Sequence, residues 1–165
     1  MGADATVRQN YKQSNIYIKL VDEYGIFDSY QDLFMFTACV GFAKDRCKTA
    51  NYEGEKEMLW MHFSNKDLYR AVAAAIAYQH HDDPEALIKP EIQLETLAMY
   101  AAGGAEVLEA EFSEVDEDPT DAVLNYVQDW DEQEDTETRQ TVLGEIMASF
   151  EQESAPEESS GQEAE

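Results

Sequence analysis

The chain has 165 residues, with 36 Asp and Glu against 11 Lys and Arg, a formal net charge of −25. Its 44% apolar content is enough for a packed core, so a wholly disordered chain is excluded, and the length suits one domain plus a tail. No apolar run nears the roughly 20 residues of a membrane span, no apolar leader follows Met1, two cysteines cannot staple a secreted scaffold, and the charge disfavours a conventional basic nucleic-acid binder; the expectation is a soluble, cytoplasmic protein without a membrane partner.

Residues 1–14 are polar and without periodicity, and read as a loose N-terminus. Ile16, Leu20, Val21 and Tyr24 fall at helical spacing, closed by Gly25. Asp28-Ser29 then caps a second helix carrying Tyr30, Leu33, Phe34, Ala38 and Phe42, with Met35 and Phe36 between them. It is apolar nearly all round, which predicts the central buried element. Residues 43–57 read as a loop, with a short strand or turn leading into Met58–Phe63. Ser64 or Asn65 is the expected cap of a helix from Lys66 to about Gln79, with Leu68, Tyr69, Val72, Ala75 and Ile76 facing inward. His80-His81-Asp82-Asp83-Pro84 breaks it. Pro90 opens the next helix, with Ile92, Leu94, Leu97 and Tyr100; Gly103-Gly104 marks a break or a close helix contact before Ala105–Phe112. Thr120 is the expected cap of Asp121–Trp130. Residues 131–138 form an acidic linker, and Val142, Leu143, Ile146, Met147 and Phe150 make one apolar stripe. That stripe would fold back or join a second copy of the chain. Glu151–Glu165 is low-complexity and reads as disordered.

The fold class expected is mainly α: a compact multi-helix domain over 8–130, with a short β-hairpin around 46–63. An acidic tail over 131–165 carries an amphipathic helix near 139–151. Leu33, Phe34, Phe36, Leu97 and Tyr100 should form the core.

The charge is uneven. Residues 1–70 hold 10 acids and 9 bases, whereas residues 71–165 hold 26 acids and only Lys89 and Arg139. Acids on helical stretches and only seven lysines favour a halophilic, haloarchaeal-type composition over an acidic interaction tail or a nucleic-acid mimic.

No GxSxG, P-loop or HExxH pattern occurs, and no catalytic residue, cofactor or metal site is expected. His80-His81-Asp82-Asp83 reads as a polar helix end, Cys39 as a core residue and Cys47 as a loop residue. The informative polar cluster is basic: Lys44, Arg46, Lys48, Lys56, Lys66 and Arg70 lie within 27 residues of a chain that otherwise shuns bases. They would contact DNA phosphate or a protein partner, unless Lys44, Lys56 and Lys66 pair with Asp45, Glu55, Glu57 and Asp67.

Val21-Asp22-Glu23-Tyr24-Gly25-Ile26-Phe27, then Asp32-Leu33-Phe34-Met35-Phe36-Thr37-Ala38 with Gly41-Phe42-Ala43-Lys44, resembles the signature of the Dnd system-associated protein 4 family. Tyr100-Ala101-Ala102-Gly103-Gly104-Ala105-Glu106-Val107-Leu108 resembles that family's second stretch. The resemblance covers about residues 15–112. It implies an accessory role in phosphorothioate-dependent modification or restriction against foreign DNA. The partner would be a larger protein of the defence complex, or DNA. It supplies no catalytic residue. The family's loop after Gly-Phe is basic, a character that Lys44, Arg46 and Lys48 keep and Asp45 and Cys47 interrupt. The alternative is a halophilic helical transcriptional regulator; the largely apolar, alanine-rich Lys66–Gln79 helix is a poor groove reader.

Overall fold

The computed structural model describes residues 6–112 and 118–129. The chain divides into two units, Met1–Thr120 and Asp121–Glu165. The apolar stripe near 139–151 and the stretch Glu151–Glu165 lie outside the described residues.

Two helices make the centre of the first unit. One is α2, Tyr30–Ala43, whose N-cap Ser29 is extended and accepts from the Asp32 N–H at 3.2 Å. Its buried residues, Leu33, Phe34, Met35, Thr37, Ala38, Val40 and Gly41, run round most of the circumference, as its apolar composition predicts. The other is α5, Pro90–Phe112, 23 residues and so roughly 35 Å long. It does not break at Gly103-Gly104; the pair is a close contact instead. A Cβ on Gly104 would lie 1.8 Å from the Thr37 carbonyl oxygen, and one on Gly41 would lie 2.0 Å from that of Tyr100. The two helices therefore touch main chain to main chain, which only glycine permits. Leu33, Phe34, Leu97 and Tyr100 are buried as expected, while Phe36 is half-buried with its ring 5.1 Å from that of Phe27.

Around this pair, α1 begins at Asn15–Tyr17 and continues as a π-helical turn over Ile18–Glu23. Gly25 follows at φ 59°, in the left-handed region, and lets the Ile26 N–H return to the Leu20 carbonyl at 2.8 Å. The hairpin expected around 46–63 does not form: one strand, β2, lies there at Lys56–Leu59, but its partner is in the N-terminal stretch read as loose. Antiparallel to it runs β1, Arg8–Tyr11, with Arg8 opposite Leu59 and Tyr11 opposite Lys56. Arg8-Gln9-Asn10-Tyr11 has one apolar residue and so shows no period; the strand exists because Tyr11 buries its ring edge-on against Phe34 at 5.3 Å. Two strands alone are marginal in water, so that anchoring is what holds them.

A short helix, α3 (Met61–Ser64), precedes α4 (Asp67–His81). The N-cap of α4 is Lys66, without a side-chain bond, not Ser64 or Asn65, which close α3. The inward face is also corrected: Ala73, Ile76 and Ala77 are buried, whereas Ala75 is exposed and Leu68 is 71% exposed. An alanine-rich helix offers little contrast between faces, so its rotation is set by packing rather than by pattern. Asp82 ends α4 in the left-handed conformation, and Pro84–Leu87 forms a 3-10 turn capped by the Asp83 carboxylate, which accepts from the Glu85 N–H. Residues 120–129 are helical; the N–H and hydroxyl of Thr120 both donate to Asp118, so Asp118 supplies the cap expected of Thr120. Among the described residues no helix is long and apolar enough to cross a membrane.

Candidate interaction site

The loop that leaves α2 is held by main-chain hydrogen bonds to both long helices. Lys44 closes the helix, its N–H donating to the Val40 carbonyl at 2.9 Å. Asp45 then takes φ 54° and Asn51 φ 60°, a conformation that Asp and Asn tolerate better than other non-glycine residues. The reversal at Asp45 lets the Arg46 N–H donate to the Gly41 carbonyl at 2.7 Å, and the Lys48 N–H donates to the Met99 carbonyl of α5 at 3.1 Å. Gly103 admits this approach, since a Cβ there would lie 1.9 Å from the Arg46 carbonyl oxygen. Farther along, the Lys12 N–H donates to the Tyr52 carbonyl and the Tyr52 hydroxyl donates to Glu95 at 2.9 Å. Main-chain bonds thus fix a loop whose Lys44 and Arg46 side chains are exposed.

The six bases of the sequence do not form one patch. Lys44, Arg46 and Lys48 stand at the C-terminal end of α2, where Lys48 pairs with Glu106. Lys66 and Arg70 belong to the other end: Lys66 Nζ is 3.3 Å from Asp32 Oδ1, and Arg70 Nη2 is 2.6 Å from Asp67 Oδ1. Asp32 and Lys44 are twelve residues apart on one helix, so the two groups are separated by roughly 18 Å. Burial pushes the Asp32 carboxyl up, but hydrogen bonds from Tyr69, Lys66 and Ser29 outweigh it and hold the group below its ordinary value. Lys56 lies on β2, exposed and opposite Tyr11. Of the pairings anticipated, Lys66 finds Asp32 rather than Asp67, and Glu57 pairs with Arg8 at 3.5 Å.

Beside the basic loop lies a cluster that the sequence does not reveal. Cys47 is half-buried, with the Tyr100 hydroxyl among the groups that act on its thiol. That hydroxyl meets His80 Nδ1 at 2.9 Å. The His81 ring stands perpendicular to that of His80 at 4.8 Å, and its Nε2 lies 2.9 Å from Thr96 Oγ1. Burial pushes the Cys47 thiol up, Tyr100 pulls it back, and Asp45 adds to the rise. Burial, then His81, holds His80 below the ordinary histidine value. No linear signal joins these residues, since they come from a loop and two helices far apart in the chain. Among the described residues no group of three His, Cys, Asp or Glu is placed to hold a metal.

The fold and site thus define a compact, mainly helical domain that presents a rigid basic loop on a two-helix core. The family described as DNA sulphur modification system-associated protein 4 matches residues 6–145, and the chain belongs to that family. No curated protein and no solved structure matches it significantly. The matched stretch includes both helices of the core and the whole loop.

Proposed function

We propose that this chain is a non-enzymatic accessory of a DNA sulphur modification system, docking on a larger protein component through the loop around Lys44, Arg46 and Lys48. The family description supports association with a DNA sulphur modification system, and phosphorothioate-dependent modification or restriction of foreign DNA is the setting inferred from it. The observation that carries the docking role is the loop's rigidity. Main-chain bonds from Arg46 and Lys48 and a left-handed Asp45 hold exposed cations in one place, so a partner need not spend binding energy on ordering them. Lys66 and Arg70 hold carboxylates of their own domain and serve the fold first.

A protein with an acidic surface suits this loop better than DNA does. The whole chain carries −25, and a duplex would meet that charge with only a few bases in reach. In concentrated salt, screening and weak counterion release would reduce the phosphate contribution further. The test replaces Lys44, Arg46 and Lys48 together with Gln. Retention of the other system components in a pull-down should fall at least about tenfold, with the circular dichroism spectrum unchanged. Unchanged retention would refute docking through the loop, and loss of DNA-fragment binding in the same variant would replace it with the DNA reading.

A further inference from the structure

Helix α4 buries Ala73, Ile76 and Ala77 and leaves Leu68, Ala71, Ala75 and Tyr78 exposed on its outer face. These four follow one another at intervals of three, four and three residues, the spacing of a coiled-coil seam, so they form one apolar stripe along the helix. Large side chains close both ends of it, Leu68 at 71% exposure and Tyr78 at 38%. Beside the stripe, an open groove of about 450 Å³ runs between α4 and the 3-10 turn, lined by Trp60, Ala71, Ala74, Leu87 and the 75% exposed Ile88. Aliphatic side chains gathered and exposed to this degree mark a contact surface rather than an ordinary solvated one.

We propose that this face docks a second copy of the same chain, α4 against α4 in antiparallel, about a two-fold axis at the level of Ala73. Charge is the first argument. Leu68–His81 hold no Asp or Glu in a chain with 36, and Arg70 is already paired with Asp67 at 2.6 Å. A basic partner finds no carboxylate on the stripe, whereas two copies at −25 repel least where neither presents one. Order is the second argument. From either end the stripe runs large, small, small, large, so an antiparallel copy sets Leu68 against Tyr78 of the second copy and Ala71 against Ala75. A two-fold contact requires this self-complementarity, and the opposed helix dipoles favour it. The central alanines let the two axes approach to about 8 Å, the near end of helix packing distances. With the turn beside it, the face covers roughly 400 Å², half the ~800 Å² a side of a standard interface. The dimer is therefore weak, with a Kd on the order of 100 μM. Salt strengthens it, because screening relieves the repulsion between two acidic chains.

The experiment is sedimentation equilibrium of the purified full-length chain. In about 2 M KCl, monomer should pass to dimer as the protein approaches about 1 mM, and in about 0.1 M KCl the Kd should rise at least about tenfold. Ala75→Glu and Leu68→Gln change exposed helical positions, so the circular dichroism spectrum should stay unchanged while each raises the Kd at least about tenfold. Cross-linking reads the register: in a Cys39→Ala, Cys47→Ala background, a short bis-maleimide should join Ala71→Cys chains to Ala75→Cys chains faster than it joins either to itself. A chain that stays monomeric at the highest concentration in the stronger salt would overturn the proposal, as would a dimer that both surface variants leave intact or that weakens as salt rises. Equal cross-linking of Ala71→Cys to itself would overturn the antiparallel pairing. A monomeric chain whose Leu68→Gln variant loses the other system components in a pull-down would give the face to that partner instead. The Lys44, Arg46 and Lys48 variant should dimerise as wild type does, so failure of the loop's docking and failure of this proposal are told apart.

Discussion

Gly104→Ala tests the contact on which the core and the loop both depend. The added methyl would lie 1.8 Å from the Thr37 carbonyl oxygen and 2.8 Å from the Gly41 nitrogen. Carbon contacts are comfortable at about 3.5 Å, so α2 and α5 must part by well over an ångström. No rotamer can absorb this, because the atoms on both sides are main chain. Overpacking costs about 1–3 kcal/mol and sometimes more, whereas Gly to Ala inside a helix returns about 1 kcal/mol. With rigid neighbours the upper end applies, and the net loss should be about 2–3 kcal/mol, a large share of the ~5–15 kcal/mol that holds a domain. Urea unfolding followed by helical circular dichroism should show a lower midpoint with an unchanged slope. Gly41→Ala should behave alike, and the double variant should lose less than the two single losses together, because helices already parted admit the second methyl. A Gly104→Ala protein as stable as wild type would refute main-chain contact between the helices.

Two further outcomes follow from charge. His80 is held below its ordinary value of 6.5 by burial and by His81, so the unfolded chain binds the extra proton. Stability is therefore full above 6.5 and is lost as pH falls through the lower folded value; the urea midpoint should drop between about pH 7.5 and about pH 5 more in wild type than in His80→Gln, and an equal drop in both would refute the assignment. If the net charge of −25 is a salt adaptation, the melting temperature should rise as KCl goes from dilute to molar, because screening removes self-repulsion. A flat or falling melting temperature would favour an acidic interaction surface instead.

Apolar spacing and caps made the helices legible without a structure. Tyr30–Ala43 could be read because Ser29 and a run of aromatic and aliphatic residues leave no other period, and Pro90 marked the start of α5 in the same way. Composition alone likewise carried the acidic bias, and two apolar stretches carried the family. What the chain could not show in one dimension was pairing. Arg8–Tyr11 becomes a strand only because Lys56–Leu59 and the Phe34 ring lie beside it. Leu68 turns outward because alanines on every side of α4 leave packing to choose the face. Six bases close in sequence separate to the two ends of α2 and an edge strand, since helical rise, not spacing along the chain, sets their distance. The loop at Arg46 and the helices α2 and α5 meet because Gly41, Gly103 and Gly104 let main chain approach main chain, an effect of absent atoms that no residue's own chemistry announces.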